Sequence, residues 1–238
     1  MTVLSLIQSA ARRIGVGRPS VAMTATDATV GLLVELAQEE GKQLARYGDW
    51  RVLRKEKTFT TVATEDQSSA SPIPTDLDAF IDETFWNRNA RRRLYGPFDS
   101  EQWQAWKATS TFPILDSFTL RGTSWLMDPI VAAGQTIAYE YRSKNWCQSA
   151  GGTAQSAWAL DTDTGILSED LMALGVIWRF RQNRRMEWQT DFDKYVFQVE
   201  SALAIDRPRK IINLAHGGPI RRFPAIAIPE GSWNVSNP

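Results

Sequence analysis

One cysteine and one histidine are all that the 238 residues contain of those two types. Cys147 alone excludes an internal disulfide framework and a cysteine-built zinc site. His216 alone excludes the common multi-histidine metal centres. An excess of either charge is also missing, since 27 basic side chains face 27 acidic ones. That balance argues against a protein that grips nucleic acid through its bulk field. No apolar run reaches membrane-spanning length. Met1 to Ile7 are apolar without the basic leader of a signal peptide, so Asn234-Val235-Ser236 reads as a chance sequon. A glycine-rich phosphate loop is lacking too, because Gly15-Val16-Gly17 follows a helical pattern and acts as a stop signal. What the chain has in quantity is tryptophan, ten of them, a residue favoured in cores and in protein interfaces. A Trp-rich core accounts for most of these, and 43% hydrophobic residues suffice to bury one. The length suits one domain or one and a half.

The strongest pattern runs from Ser168 to Ile205 and predicts two antiparallel helices. Leu167, Leu171, Leu174 and Trp178, widened by Ile177 and Phe180, form one apolar face. Trp188, Phe192, Tyr195, Val199 and Leu203 form the next. Ser168 is a candidate N-cap, with Glu169 and Asp170 at the positive end of the helix dipole and Arg179, Arg181, Arg184 and Arg185 at the negative end. Two further helices are predicted near the start of the chain. Residues 3–14 carry Leu4, Ile7, Ala11 and Ile14 on one face, capped by Thr2. A longer one opens at Thr26 or Asp27 and runs to Tyr47. Its stripe is Leu33, Leu36, Ala37, Leu44 and Tyr47, and its outer face is Glu35, Glu39, Glu40, Lys42 and Arg46.

Between the helix pairs the residues favour strands. Val52 and Phe59 to Val62 suit one, with Arg54 to Lys57 as a solvated edge. Gly96-Pro97 reads as a turn, Ser100 to Ala108 as a short helix, and residues 114–144 as antiparallel strands. The order predicts an α+β protein. A four-helix bundle would be built from helix pairs in 1–50 and 166–206, with an antiparallel β-rich insertion and short helix over 51–165 and an extended C-terminal arm over 207–238. The arm is Pro-punctuated yet apolar through Ile211, Ile212, Leu214, Ile220, Phe223, Ile226, Ile228 and Trp233. Such a segment suits docking along a partner's surface, or packing back on its own domain.

Catalytic patterns are sparse. Cys147 and His216 allow a formal nucleophile–base pair, with only Lys144 nearby to lower the thiol pKa. Asp76, Asp78, Asp82 and Glu83 could supply an acid/base pair for glycoside cleavage, or an arginine-paired surface. Arg91, Arg92 and Arg93 suit DNA phosphates and at least as well carboxylates, within the chain or across a subunit interface, and Arg184 and Arg185 are further candidates for interface or channel charges. No catalytic, metal or cofactor site is predicted.

Several phrases stand in a telling order. They are Leu6-Ile7-Gln8-Ser9-Ala10-Ala11-Arg12-Arg13-Ile14-Gly15, Tyr47-Gly48-Asp49-Trp50, Phe59-Thr60-Thr61-Val62-Ala63 and Phe80-Ile81-Asp82-Glu83-Thr84-Phe85-Trp86-Asn87-Arg88. Gly96-Pro97 with Trp103-Gln104, Tyr139-Glu140-Tyr141-Arg142-Ser143-Lys144-Asn145-Trp146 and Asp161-Thr162-Asp163-Thr164 follow. Over residues 3–205 this order resembles the head-to-tail adaptor (connector) proteins of tailed bacteriophages, chiefly of the short-tailed type. The resemblance implies a structural, non-enzymatic virion protein at the head–tail junction, assembled in the host cytoplasm. It implies a homo-oligomeric, usually dodecameric ring under the portal protein that closes the filled capsid and offers a platform to the tail or nozzle protein. Double-stranded DNA would pass through the lumen without specific binding, and no membrane would be involved. The apolar arm would dock on the portal. Two alternatives are a tail-completion or tail-tube subunit and a virion-associated peptidoglycan hydrolase using Asp82 or Glu83.

Overall fold

The computed structural model describes residues 2–109 and 115–206. Helix α1 (Val3–Ile14) starts where the Thr2 hydroxyl accepts the Ser5 N–H at 3.3 Å, and it stops at Gly15, whose left-handed φ of 77° suits glycine. Helix α2 (Ala28–Tyr47) starts at Asp27, whose carboxylate accepts the Thr29 N–H at 2.7 Å. Helices α4 (Glu169–Asn183) and α5 (Gln189–Asp206) are the predicted hairpin. Between the pairs lie seven strands of one sheet: β1 (Arg54–Thr60), β2 (Leu77–Phe80), β3 (Trp86–Asn87), β4 (Arg92–Phe98), β5 (Asp116–Arg121), β6 (Ser124–Asp128) and β7 (Thr136–Ser143). Helix α3 (Ser100–Thr109) joins β4 to β5. A second, three-stranded sheet is made of β8 (Cys147–Gln148), β9 (Ala154–Gln155) and β10 (Thr164–Gly165).

The large sheet runs β1-β7-β3-β4-β5-β6, with β2 also on β7. It is mixed. Strands β4 and β5 are parallel because α3 carries the chain back between them. The other pairs are antiparallel. The sheet curls so far that the chain leaving β1 reaches the opposite edge. There the Met127 N–H donates to the Glu65 carbonyl (2.9 Å) and the Gln67 N–H to the Trp125 carbonyl (2.8 Å). Lys107 of α3 lies beside that closure, 3.0 Å from Glu65 and 3.6 Å from Asp128. The interior of this half-barrel is Phe59, Phe85, Leu94, Phe118, Trp125, Met127, Ile137 and Tyr139.

Two expectations are corrected by this architecture. The protein is α+β, but it is not a four-helix bundle with a small antiparallel insertion beside it. The seven-stranded sheet is a mixed half-barrel with its own core. The helices do not pair off as equals either, since α1, α2 and α5 each pack on α4. Every residue of α4 from Leu171 to Phe180 is buried. An element buried around its whole circumference is a hub, whereas a bundle helix shows a stripe. Gly96-Pro97 is also no turn. It lies inside β4, where the register to β5 shifts between Tyr95 and Phe98. A Cβ on Gly96 would stand 2.3 Å from the Phe118 carbonyl oxygen, so glycine there lets β5 approach.

Candidate interaction surfaces

The structure puts the predicted arginines in two places. Arg91, at a φ of 53°, is exposed in the turn between β3 and β4. Next to it, Arg92 is 3.9 Å from the Asp116 carboxylate. Arg93 is 3.5 Å from Glu83, and its guanidinium lies 5.5 Å from the Tyr95 ring centroid. Arg184 and Arg185 belong instead to the exposed α4–α5 connection, with Arg184 stacked 5.5 Å from the Phe180 ring. The triplet is a feature of the sheet and the pair a feature of the helical layer. The arm residues Ile211 to Trp233, and His216 with them, lie outside the described residues.

Of the four carboxylates considered for acid/base chemistry, three are in ion pairs: Asp76, Asp78 and, through Arg93, the exposed Glu83. Asp76 accepts from Lys55 Nζ (2.7 Å), Ser143 Oγ (2.7 Å) and Tyr141 Oη (2.8 Å). Burial alone would raise its carboxyl, but the Lys55, Ser143 and Tyr141 hydrogen bonds outweigh that and hold it at about 2. Asp78 pairs with Arg142 at 2.7 Å and with Arg46 of α2 at 3.4 Å, tying the sheet to the helical layer. Asp82 and Glu83 are exposed in the β2–β3 loop. Arg54 to Lys57, read as a solvated edge, lies on the edge strand β1, and three of its residues are in ion pairs. Arg54 pairs with Asp49, Lys55 with Asp76 and Glu56 with Arg88. Cys147 is buried and donates to the Gln155 carbonyl at 3.2 Å. Burial, aided by the Asp163 charge, pushes its thiol up to about 12 and keeps it protonated.

A polar cluster that sequence reasoning missed lies in the helical core. Glu40, assigned above to the outer face of α2, is 0% exposed. Its carboxylate accepts from Arg179 Nε of α4 (2.8 Å) and from Tyr195 Oη of α5 (2.6 Å), while Arg179 Nη2 reaches Gln43 at 2.7 Å. The Arg179 guanidinium also covers the Trp178 ring at 4.4 Å. Burial pushes the Glu40 carboxyl up, against the pull of Arg179 and Tyr195. Gly175 makes the room, since a Cβ there would lie 2.1 Å from the Glu40 carboxyl carbon. The signal was present in the spacing. Glu40 falls three residues after Ala37 and four before Leu44, within the apolar stripe rather than opposite it. One charge cluster therefore joins α2, α4 and α5.

The quoted phrases prove to be fastenings. In Tyr47-Gly48-Asp49-Trp50, the Trp50 indole N–H donates to the Leu44 carbonyl (2.7 Å), and a Cβ on Gly48 would meet Leu203 of α5 at 2.4 Å. Arg51 N–H then donates to Asp206 at the end of α5 (2.7 Å). In Asp161-Thr162-Asp163-Thr164, the Asp161 carboxylate accepts the Met23 N–H at 2.7 Å and that of Ala22 at 3.1 Å. The Asp163 carboxylate accepts the N–H groups of Ala159 (2.7 Å) and Leu160 (2.9 Å), and its carbonyl accepts that of Val3 at 2.8 Å. Thr164 bridges to Thr2. Most of these contacts tie a side chain to the backbone of another segment.

The family model described as SU10 adaptor protein matches residues 1–211. The chain belongs to the SU10 adaptor family. The match covers both layers and ends at residue 211, so most of the segment expected as an arm, 207–238, lies beyond it. No curated protein matches the chain. Membership makes this a phage adaptor protein, and among the described residues no helix is long and apolar enough to cross a membrane. No group of three or more His, Cys, Asp or Glu among those residues is arranged to hold a metal ion.

Proposed function

We propose that this adaptor is a structural virion protein of the head–tail junction. Copies of the chain form a ring, dodecameric as the family resemblance suggests, beneath the portal protein. The ring closes the DNA-filled capsid and presents the platform on which the tail or nozzle protein seats. The observation that carries this reading is the family match across both layers of the molecule. The balance of 27 basic and 27 acidic side chains supports it. A conduit without an excess of cations has little bulk attraction for phosphates and lets duplex DNA move. Residues 207–238 are assigned to portal docking because an apolar, Pro-punctuated segment suits an extended bound conformation. No catalytic role is assigned, and purified protein is expected to leave a peptidoglycan zymogram uncleared.

Light scattering of the full chain, with and without an isolated portal ring from the same virus, tests the reading. Co-assembly into a stoichiometric complex is expected, together with its loss when 207–238 are deleted. A chain that stays monomeric and ignores the portal would sink the ring assignment. Unchanged portal binding after the deletion would remove the docking role of the arm alone.

A further inference from the structure

A ring is a heterologous assembly that closes, so every subunit needs two different and mutually complementary faces. The helical layer exposes two surfaces of opposite charge. We propose that they are those faces: a basic cleft on α1 receives the acidic, aromatic face of α5 from a second copy of this chain. The inference rests on the ring reading and adds the surfaces that make it.

The cleft encloses about 340 Å³ and is lined by Ser5, Gln8, Ser9, Arg12, Arg13 and Arg18. All three arginines are exposed. Arg18 is held in place, since its Nη2 donates to Gln8 Oε1 at 2.7 Å while Gln8 Nε2 donates to the Pro19 carbonyl at 2.9 Å. No carboxylate is among the lining residues. The last turn of α1 accounts for a favourable place for Arg12 and Arg13 at a helix C-terminus, but not for the third cation facing the same space.

Helix α5 buries only Tyr195, Val199 and Leu203. Its outer side carries Phe197, 73% exposed, and Ile205, 82% exposed. Asp193 and Glu200, four residues before and three after Phe197, share its face and are exposed, as is Lys194 three residues before it, so the face carries two carboxylates and one ammonium. Asp193 accepts one hydrogen bond, from Gln189 at 3.1 Å. An aromatic ring between two carboxylates matches a cleft of three guanidiniums on two counts. The arginine stems offer apolar walls and a cationic face to the ring. Their forks offer bidentate partners to the carboxylates. Duplex DNA would satisfy the cleft but would be repelled by the α5 face, whereas a second copy satisfies both. The even balance of charge over the chain fits a surface whose cations answer its own anions.

The test compares the full-length wild type with two variants, Arg12→Glu/Arg13→Glu/Arg18→Glu and Asp193→Lys/Phe197→Ser/Glu200→Lys. Each is measured by light scattering alone and on the isolated portal ring. Circular dichroism and a urea midpoint confirm folding, which all six exposed positions should leave intact. Either variant should weaken subunit association at least tenfold. A chain combining the three glutamates with Asp193→Lys and Glu200→Lys should recover it, because both faces are then reversed together. Assembly of either single-face variant at the wild-type concentration would overturn these faces while the ring stands. A wild type that assembles under neither condition would overturn ring and faces together. Loss of duplex DNA retardation by the α1 variant, with assembly intact, would assign the cleft to DNA and overturn the proposal.

Discussion

The two cores of this molecule are specified by different physics. Inside the half-barrel, aromatic rings fit by shape. Phe118 stacks on Trp125 at 4.4 Å and 8°, Phe85 stacks on Tyr139 at 5.2 Å and 29°, and Phe59 meets Trp125 edge-on at 5.4 Å. Its cluster is apolar and aromatic, with the buried Asp116 at the start of β5 lying 3.9 Å from Arg92, and the Trp125 indole N–H is buried without an acceptor. The helical core has apolar packing of the same kind, but it also encloses Glu40 and Arg179. Shape tolerates substitutions that conserve volume, whereas a buried ion pair tolerates no change to one partner alone. The half-barrel is thus held together by area, and the mutual register of α2, α4 and α5 by charge.

Two substitutions break the comparison most sharply. Trp125→Ala removes the ring at the centre of the sheet's aromatic stack and should cost about 3–5 kcal/mol, read as a fall in the urea midpoint. Arg179→Met should cost a similar amount, about 3–5 kcal/mol, because Glu40 is then left buried without its cation. The two losses differ in how they are repaired. Adding Glu40→Met and Tyr195→Phe to Arg179→Met replaces the cluster with apolar groups and should restore most of the stability. No second change away from the sheet's interior should rescue Trp125→Ala. If the triple variant stays as weak as Arg179→Met, the helical core depends on shape as well, and the distinction drawn between the cores fails.

Gly175 offers a finer cut. Its hydrogen faces the Glu40 carboxyl group, where a Cβ would sit 2.1 Å from the carboxyl carbon. Gly175→Ala should cost about 1–3 kcal/mol by displacing the ion pair, since overpacking at a tight contact carries that penalty. In the background where Glu40 and Arg179 are both methionine, the carboxyl is gone and the same substitution should cost a different amount. Equal losses in both backgrounds would mean that Gly175 serves α4 packing generally and not the carboxylate.

Local chemistry made the helices legible in the sequence. Thr2 and Asp27 cap where oxygen-bearing side chains precede an apolar period, and Gly15 ends α1 as a left-handed residue must. The short helix, expected over Ser100 to Ala108, is found at Ser100–Thr109. What it does, making β4 and β5 parallel, was not legible, because register and crossover are set by partners distant in the chain. The bundle expectation failed at α4. Two apolar residues in every turn look like a stripe until Met172, Ala173, Val176 and Arg179 are found buried as well. Glu40 and Arg179 were hidden by residue type. Charge suggests solvent, and only the partner across 139 residues of chain makes burial tolerable. Tyr47 erred in the opposite direction. It continues the α2 stripe by spacing but is exposed, because the helix ends there and Gly48 turns the chain toward Leu203. The family phrases were legible as an order of words. Their function as fastenings, such as Asp161 holding the 22–23 backbone, required the fold.

The smallest expected effect tests whether the sheet answers to charge at its edge rather than in its core. Asp76 links Lys55 of β1 with Tyr141 and Ser143 of β7. Its carboxyl is held at about 2, below the ordinary value of 3.8. A folded value below the unfolded one means that the contribution is present above pH 4 and is lost as pH falls from about 4 to about 2. Solvent reaches part of this carboxylate, so we expect about 1 kcal/mol in all. Urea midpoints of the wild type and of Asp76→Asn, measured at pH 6 and at pH 2.5, should converge by most of that amount at the lower pH. Asp76→Asn leaves both aromatic stacking and the Glu40–Arg179 pair untouched, so its acid response isolates the rim. If the difference between the two proteins were the same at both values, the Lys55 and Tyr141 contacts would contribute no pH-dependent stability, and charge would matter only where it is buried between the helices.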